Sequence, residues 1–149
     1  MFKDEITVTG KLNVILVDQM GLVKEEHEFD NLVVTAGKGY IASRMKDASA
    51  TAMTHMALGT NSQAAAAGQT ALGAQAGSRE ALDSTTVTSN AVVYVASFEA
   101  GDATGNIVEA GLFNASSGGT MLCRTVFGSV AKQADDSMTV TWTVTISAS

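Results

Sequence analysis

Three residues in one short stretch have side chains that could take part in chemistry. The stretch GNIVEAGLFNASSGGTMLCRTVF spans residues 105–127 and contains Glu109, Cys123 and Arg124. An acid among apolar neighbours can have a raised pKa, because burial disfavours its charged form, and such a carboxyl can serve as a general acid. Alternatively, Glu109 faces solvent or forms an ion pair with Arg124 across a hairpin, since structural ion pairs also perturb acids. We favour this structural interpretation.

A hydrolytic role for Glu109 would require a second carboxylate. Glycosidases place two carboxyl groups about 5–10 Å apart, and Glu99 or Asp102 would have to supply the partner, although no motif fixes such a pair. Cys123 is the only cysteine, so intramolecular disulfides are impossible, and no histidine is near it in the sequence to complete a Cys–His pair. We interpret Cys123 as a small buried hydrophobic residue.

The segment GKGYIA matches a short form of the dinucleotide-binding fingerprint through Gly37, Gly39 and Ala42. A dinucleotide-binding unit also needs a further parallel strand and an acid about twenty residues later, whereas here the sequence continues into Ala, Gly and Ser. We therefore interpret the segment as a glycine turn with Lys38 exposed.

The two histidines, His27 and His55, lie far apart in the sequence and lack HExxH or cysteine-rich surroundings. The segment KEEHEF around His27 is typical of a solvated strand face. The sequence thus predicts no catalytic residues, no cofactor-binding residues and no metal ligands. We expect the protein not to be an enzyme.

Composition limits the classes of protein further. The 149 residues fit one domain, and 46% hydrophobic with 16% charged residues is unlike a disordered chain. A formal net charge of −6 argues against a nucleic-acid partner, since phosphate backbones are bound mainly by clustered Lys and Arg. The sequence has no apolar run of the ~20 residues that cross a bilayer, and its start, MFKDEITVTG, lacks the pattern of a signal peptide. We expect no membrane partner and synthesis in a cytoplasm.

Short strands dominate the sequence pattern. At the C-terminal end, Met138, Val140, Trp142, Val144 and Ile146 alternate with Thr and Ser, which predicts a half-buried strand. The first part predicts three strands, EITVTG, KLNVILVD and LVKEEHEFD, and GKGYIASRMKD then predicts about two turns of helix. IVEAGLF and MLCRTVF around NASSGG predict a β-hairpin. With six to nine strands and one short helix, we expect residues 1–149 to form a single mainly β domain, a jelly roll or β-sandwich.

Residues 59–77, GTNSQAAAAGQTALGAQAG, are small, uncharged and rich in Gly and Ala. Alanine favours helix, but the glycines and the lack of large apolar residues weaken that prediction. A long segment without structure inside a compact domain tends to be functional or disordered. We interpret residues 59–77 as an arm or loop, preferably an arm laid on another protein, with plain disorder as the alternative.

Several sequence elements occur in an order that resembles a known family. They are DNLVVTAGKGYIASRM, THMALGT, a linker ending in TALGAQAGSRE, NIVEAGLFNASSGGTMLCRTVF and DDSMTVTWTVTIS. In this order they resemble tailed-phage and prophage virion structural proteins, and they cover most of the chain from Asn31 onward. No single element is specific, so the resemblance depends on the order. The family's usual linker prolines are absent, since the chain contains no proline.

This resemblance implies a virion component. Members of similar length look like capsid cement, or decoration, proteins with a jelly-roll fold, which bind the outer surface of the major capsid shell and bridge neighbouring subunits. The implied partners are the major capsid protein and further copies of the chain, as a homodimer or homotrimer. The implied location is the capsid surface of a bacteriophage virion. The same signature occurs in proteins linked to tails and tail fibres, so a tail-associated or host-binding module is the alternative.

Overall fold

The structure, a computed structural model, describes residues 5–46 and 50–148. Its strands are β1 (Ile6–Val17), β2 (Val23–Val33), β3 (His55–Gly59), β4 (Glu80–Ala81), β5 (Ser84–Thr88), β6 (Ala91–Phe98), β7 (Gly105–Phe113), β8 (Met121–Lys132) and β9 (Ser137–Ala148). The helix α1 (Thr35–Lys46) lies between β2 and β3. The described part of the chain is therefore mainly β with one short helix, and this confirms the expected fold class.

All nine strands of the described chain belong to one curled antiparallel sheet, in the order β4-β3-β7-β8-β2-β1-β9-β6-β5. Strands β2, β1, β9, β6 and β5 form one part, called here the β1 half, and β4, β3, β7 and β8 form the β7 half. The strand ladder between the halves, from β2 to β8, pairs Leu32 with Arg124 and Val33 with Cys123. One apolar core takes residues from both halves, so the halves face each other. This arrangement is compatible with the expected sandwich or jelly roll.

The alternating strand at the C-terminal end is β9, as predicted. Trp142 pairs with Leu12 of β1 and Tyr94 of β6 and is fully buried between the halves. Because side chains alternate between the faces of a strand, the threonines of β9 lie on the outer face. The inner face of the β1 half therefore supplies one wall of the core.

The N-terminal part differs from the prediction in its number of strands. Two strands stand where three were predicted, because β1 continues through Gly10 instead of ending there. A side chain at Gly10 would collide with Asn31 on the neighbouring strand β2. The glycine permits close packing inside a strand and does not mark a turn.

The helix α1 is longer than the two turns predicted. It begins at Thr35, so Gly37 and Gly39 lie inside the helix and not in the turn that we expected. Gly37 packs directly on the backbone of Leu122 in β8, where a Cβ would overlap the carbonyl oxygen. The glycine brings α1 into close contact with the β7 half.

The predicted hairpin is present as β7 and β8, which pair from Gly105 with Lys132 to Phe113 with Met121. The outer face of the β7 half carries a second, smaller apolar cluster. Its buried members are Val34, Ala57, Phe113 and Met121, and Leu72 packs against them. This outer face positions the residues considered next.

Candidate functional site

Glu109 and Arg124 lie on adjacent strands of the β7 half and on the same outer face. Arg124 is opposite Gly111, two residues along from Glu109, so the two side chains meet diagonally. The guanidinium donates from Nη2 at 3.0 Å and from Nε at 3.1 Å to Glu109 Oε1. Both side chains are 0% exposed. The predicted ion pair is present, and the alternative of a solvent-facing Glu109 is wrong.

The Glu109 carboxylate also binds the backbone of the Gly/Ala-rich segment. Oε2 accepts hydrogen bonds from the N–H groups of Asn61 at 2.9 Å and Ala74 at 2.8 Å. Oε1 accepts a further bond from the N–H of Gly73 at 2.9 Å. One carboxylate thus joins both ends of the segment to the sheet.

Arg124 binds the middle of the same segment. Its Nη1 donates to the carbonyl oxygen of Gln63 and to Oε1 of Gln69, both at 3.0 Å. A buried charge is expensive unless it is paired and hydrogen-bonded. Here the segment supplies the bonds that the ion pair needs, and the ion pair supplies partners for backbone groups of the segment.

Further contacts fix residues 60–77, called here the anchored loop. Its Leu72 packs in the outer apolar cluster, and the carbonyl of Ala67 accepts the N–H of Thr35 at the start of α1 at 2.8 Å. Gly59 at the end of β3 allows the close approach, since a Cβ there would lie 2.5 Å from the carbonyl oxygen of Ala74. The chain therefore holds this segment as a loop on its own body. Contact between the loop's outer surface and another protein stays a prediction.

The electrostatics of Glu109 are those of an ion-pair member. Burial alone would raise the pKa of Glu109, but the N–H donors of Ala74, Gly73 and Asn61 stabilise the carboxylate. Together with the Arg124 guanidinium they hold the pKa below its usual value. A general acid needs the opposite shift, and its carboxyl must be reachable. Glu109 meets neither condition in this structure.

The other acids considered for chemistry lie elsewhere. Glu99 follows β6, and its N–H binds Oδ2 of Asp102 at 3.2 Å, which closes a local turn. The carbonyl of Glu99 accepts a hydrogen bond from the buried Lys132 at 2.8 Å. The Glu109 carboxylate is enclosed by Arg124 and the Gly/Ala-rich segment on the β7 half, whereas Glu99 and Asp102 lie in the turn after β6 of the β1 half.

Cys123 lies in the core, as the sequence indicated. It is fully buried, and burial raises the pKa of its thiol to about 12. The nucleophilic form of cysteine is the thiolate. The thiol is therefore suited to packing and not to reaction in the folded state.

The two histidines make separate local contacts. His27 Nε2 lies 3.0 Å from Oε1 of Glu25, and its ring stacks on Phe29. His55 Nδ1 lies 2.8 Å from Oγ1 of Thr54. Within residues 5–46 and 50–148, no group of three or more His, Cys, Asp or Glu side chains could hold a metal ion.

Arg79 is a residue whose role the sequence did not reveal. Its guanidinium lies over the ring of Phe113 at 3.6 Å and donates to the carbonyls of Ala115 and Gly118 in the β7–β8 turn. It fixes this turn beside the anchored loop. The partners are more than 30 residues away in the sequence, so no local pattern could have indicated the contact.

No protein-family model matches this chain, and no curated protein or solved structure shows significant similarity to it. In the described part of the chain, no helix is long and apolar enough to span a membrane.

Proposed function

We propose that this chain is a bacteriophage capsid decoration protein, which binds the outer surface of the major capsid shell and stabilises it by bridging neighbouring subunits. The observation that carries the proposal is the convergence of the family-like sequence elements. THMALGT supplies β3 and Gly59, TALG supplies Leu72 and Gly73, and the EAGLF hairpin supplies Glu109 and Arg124. Elements that are separate in the sequence thus build one buried unit in the fold. This supports the resemblance to phage virion proteins, because that resemblance depends on these elements occurring together and in this order.

The anchored loop is the surface that we propose contacts the shell. Most of its side chains are small, uncharged and exposed, including Ser62, Ala66 and Ala71. Small side chains allow the backbone of a partner to approach closely. Because the Glu109–Arg124 pair already fixes the loop, binding would not need to order it, and this lowers the entropic cost of association.

A capsid shell multiplies weak contacts of this kind. Bridging two subunits makes the second contact intramolecular, so the combined affinity exceeds that of either contact alone. The net charge of −6 keeps free copies soluble before assembly. This mechanism requires a rigid folded body and no reactive group, which agrees with the burial of Glu109 and Cys123.

The test is co-sedimentation with undecorated phage heads and, separately, with purified tails. Three proteins are compared: the wild type, Ala66→Glu in the anchored loop, and Ala42→Glu on α1. Ala42 is a matched control, because it is also an exposed alanine and receives the same charge. We expect heads to retain the wild type and the control, and to retain Ala66→Glu at least about tenfold less.

Each other outcome has a distinct meaning. Equal retention of all three proteins on heads would preserve the decoration function but exclude residue 66 from the contact. Absence of the wild type from heads, with binding to tails, would contradict the proposal and favour the tail-associated or host-binding module.

A further inference from the structure

The large apolar side chains that remain exposed in the described chain fall into two groups. One group, called here the tip, is the turn between β1 and β2 with the start of β2, and it comprises Met20, Leu22 and Val23. The other group comprises Ile6, Met45, Val87 and Ile146. The register of β1 with β9 places Ile146 beside Val8 and the tip just beyond Val17. At about 3.3 Å per residue the groups are about 30 Å apart, at opposite ends of the sheet.

Met45, Val87 and Ile146 of the second group belong to an apolar groove between α1 and the end of the β1 half. The groove is lined by Tyr40, Ile41, Met45, Val87, Val144 and Ile146, among others. Val87 and Ile146 lie on the inner face of the sheet, in line with the core residues of β9. Nevertheless 72% of Val87 and 40% of Ile146 are exposed. The core-forming face therefore extends past the part that the β7 half covers.

Hydrogen bonds hold the backbone of the tip in a defined turn, so its apolar side chains project from a fixed position. The Asp18 side chain accepts hydrogen bonds from the N–H groups of Met20 at 2.8 Å and Leu22 at 3.0 Å. Gly21 has a φ of 84°, a left-handed conformation that glycine adopts without strain. The turn holds Met20 79% and Leu22 65% exposed. Because the backbone of the turn is already ordered, inserting it into a groove costs entropy only for its side chains.

Charge distinguishes the two ends. α1 ends in Arg44 and Lys46 and contains no acidic residue, and Arg44 lines the groove. Glu5 lies beside Ile6 at the same end. At the tip end, carboxylates predominate at the strand ends: Asp18, Glu25, Glu26, Glu99, Asp102 and Asp135. Lys24 there pairs with the buried Asp136. An acidic end and a basic border are complementary when two copies meet end to end, and like ends repel.

We propose that copies of this chain associate head to tail, with the tip of one copy inserted into the groove of the next. The apolar tip covers the exposed inner face of the sheet, and the acidic end of one copy lies against the basic end of α1 in its neighbour. A head-to-tail contact is heterologous, so it closes into a ring or extends into a chain. The inference goes beyond the proposed function and does not depend on it, because the contact forms in free protein.

Sedimentation velocity over a concentration range up to about 1 mM tests the proposal. Leu22→Glu disables the tip, and Val87→Glu disables the groove. Gln19→Glu is the matched control, since it adds the same charge to an exposed position of the same turn without removing apolar surface. Circular dichroism and the emission of Trp142 show whether each variant is folded. Met45→Glu replaces Val87→Glu if the latter is unfolded.

We expect the wild type and Gln19→Glu to associate as concentration rises, and each disabled variant to associate at least about tenfold more weakly. A mixture of the tip and groove variants provides the sharpest result. The Val87→Glu variant supplies an intact tip and the Leu22→Glu variant an intact groove. One contact can therefore form between them, so the mixture forms dimers and nothing larger. A monomeric wild type at all concentrations, continued association of either variant alone, or a mixture that stays monomeric would each overturn the proposal.

Discussion

Replacing Glu109 with Gln tests the role assigned to the buried ion pair. The carboxylate accepts five hydrogen bonds, three from backbone N–H groups and two from Arg124. A glutamine side chain has one acceptor oxygen, and its NH₂ group donates. If the oxygen takes the position of Oε1, the N–H groups of Asn61 and Ala74 face another donor and lose their partner. The opposite orientation takes the acceptor away from the N–H of Gly73 and from Nε and Nη2 of Arg124.

The magnitude follows from these losses. Each buried donor left without an acceptor costs about 1–3 kcal/mol, and breaking a buried ion pair by changing one partner costs about 3–5 kcal/mol. These figures describe overlapping losses, so we expect Glu109→Gln to lower the free energy of unfolding by about 3–5 kcal/mol. That is a large fraction of the roughly 5–15 kcal/mol that stabilises a typical domain.

Urea denaturation followed by Trp142 fluorescence measures the change, since the only tryptophan lies in the core between the two halves. Amide hydrogen exchange at Gly73 and Ala74 reports separately on the anchored loop. Asp135→Asn is the control, because it makes the same chemical change at an exposed acid and should alter stability by less than about 0.5 kcal/mol. A loss below about 1 kcal/mol for Glu109→Gln, with unchanged protection of both amides, would refute the reasoning.

Four further predictions follow from the same structure. The folded-state pKa of Glu109 lies below its usual 4.5, so its stabilising effect is present above that pH and lost as pH falls through the folded-state pKa. The stability difference between wild type and Glu109→Gln should therefore shrink in urea titrations below pH 4.5; a constant difference down to about pH 2 would contradict the assignment. Gly59→Ala should cost about 1–3 kcal/mol in the same titrations, because its Cβ would press on the carbonyl of Ala74; a neutral effect would show that the loop adjusts freely. Trp142→Ala should cost about 3–5 kcal/mol, and a loss below about 1 kcal/mol would be inconsistent with its burial. Cys123 should react with a thiol reagent near pH 8 only as fast as the protein unfolds, because burial raises its pKa to about 12; rapid labelling of folded protein would disprove this.

The sequence indicated the strands well where a strand is half buried. β9 was predicted from its alternation around Trp142, and β7 and β8 from two apolar runs around a glycine-containing loop. These patterns are local, because each strand buries one face. Gly10 was misinterpreted because the reason for the glycine is the side chain of Asn31 on the neighbouring strand, which no local pattern shows.

The anchored loop could not be predicted for the same physical reason. Its own side chains are too small to build a core, and its order comes from Glu109 and Arg124, which are more than 30 residues away. The sequence indicated that these two residues could pair, but not that a loop would cover the pair. The signal that could have suggested it is the combination of an acid and an arginine on neighbouring apolar strands with a segment whose only large apolar side chain is Leu72.

Localisation on the particle tests the proposed function most directly. The proposal implies that a phage or prophage encodes this chain. Its virions would be purified, labelled with gold-conjugated antibody against the protein, and imaged by negative-stain electron microscopy. The proposal predicts gold distributed over the surface of the heads, and no label on heads stripped of the protein. Gold confined to tails or fibres, with unlabelled heads, would contradict the assignment as a capsid decoration protein.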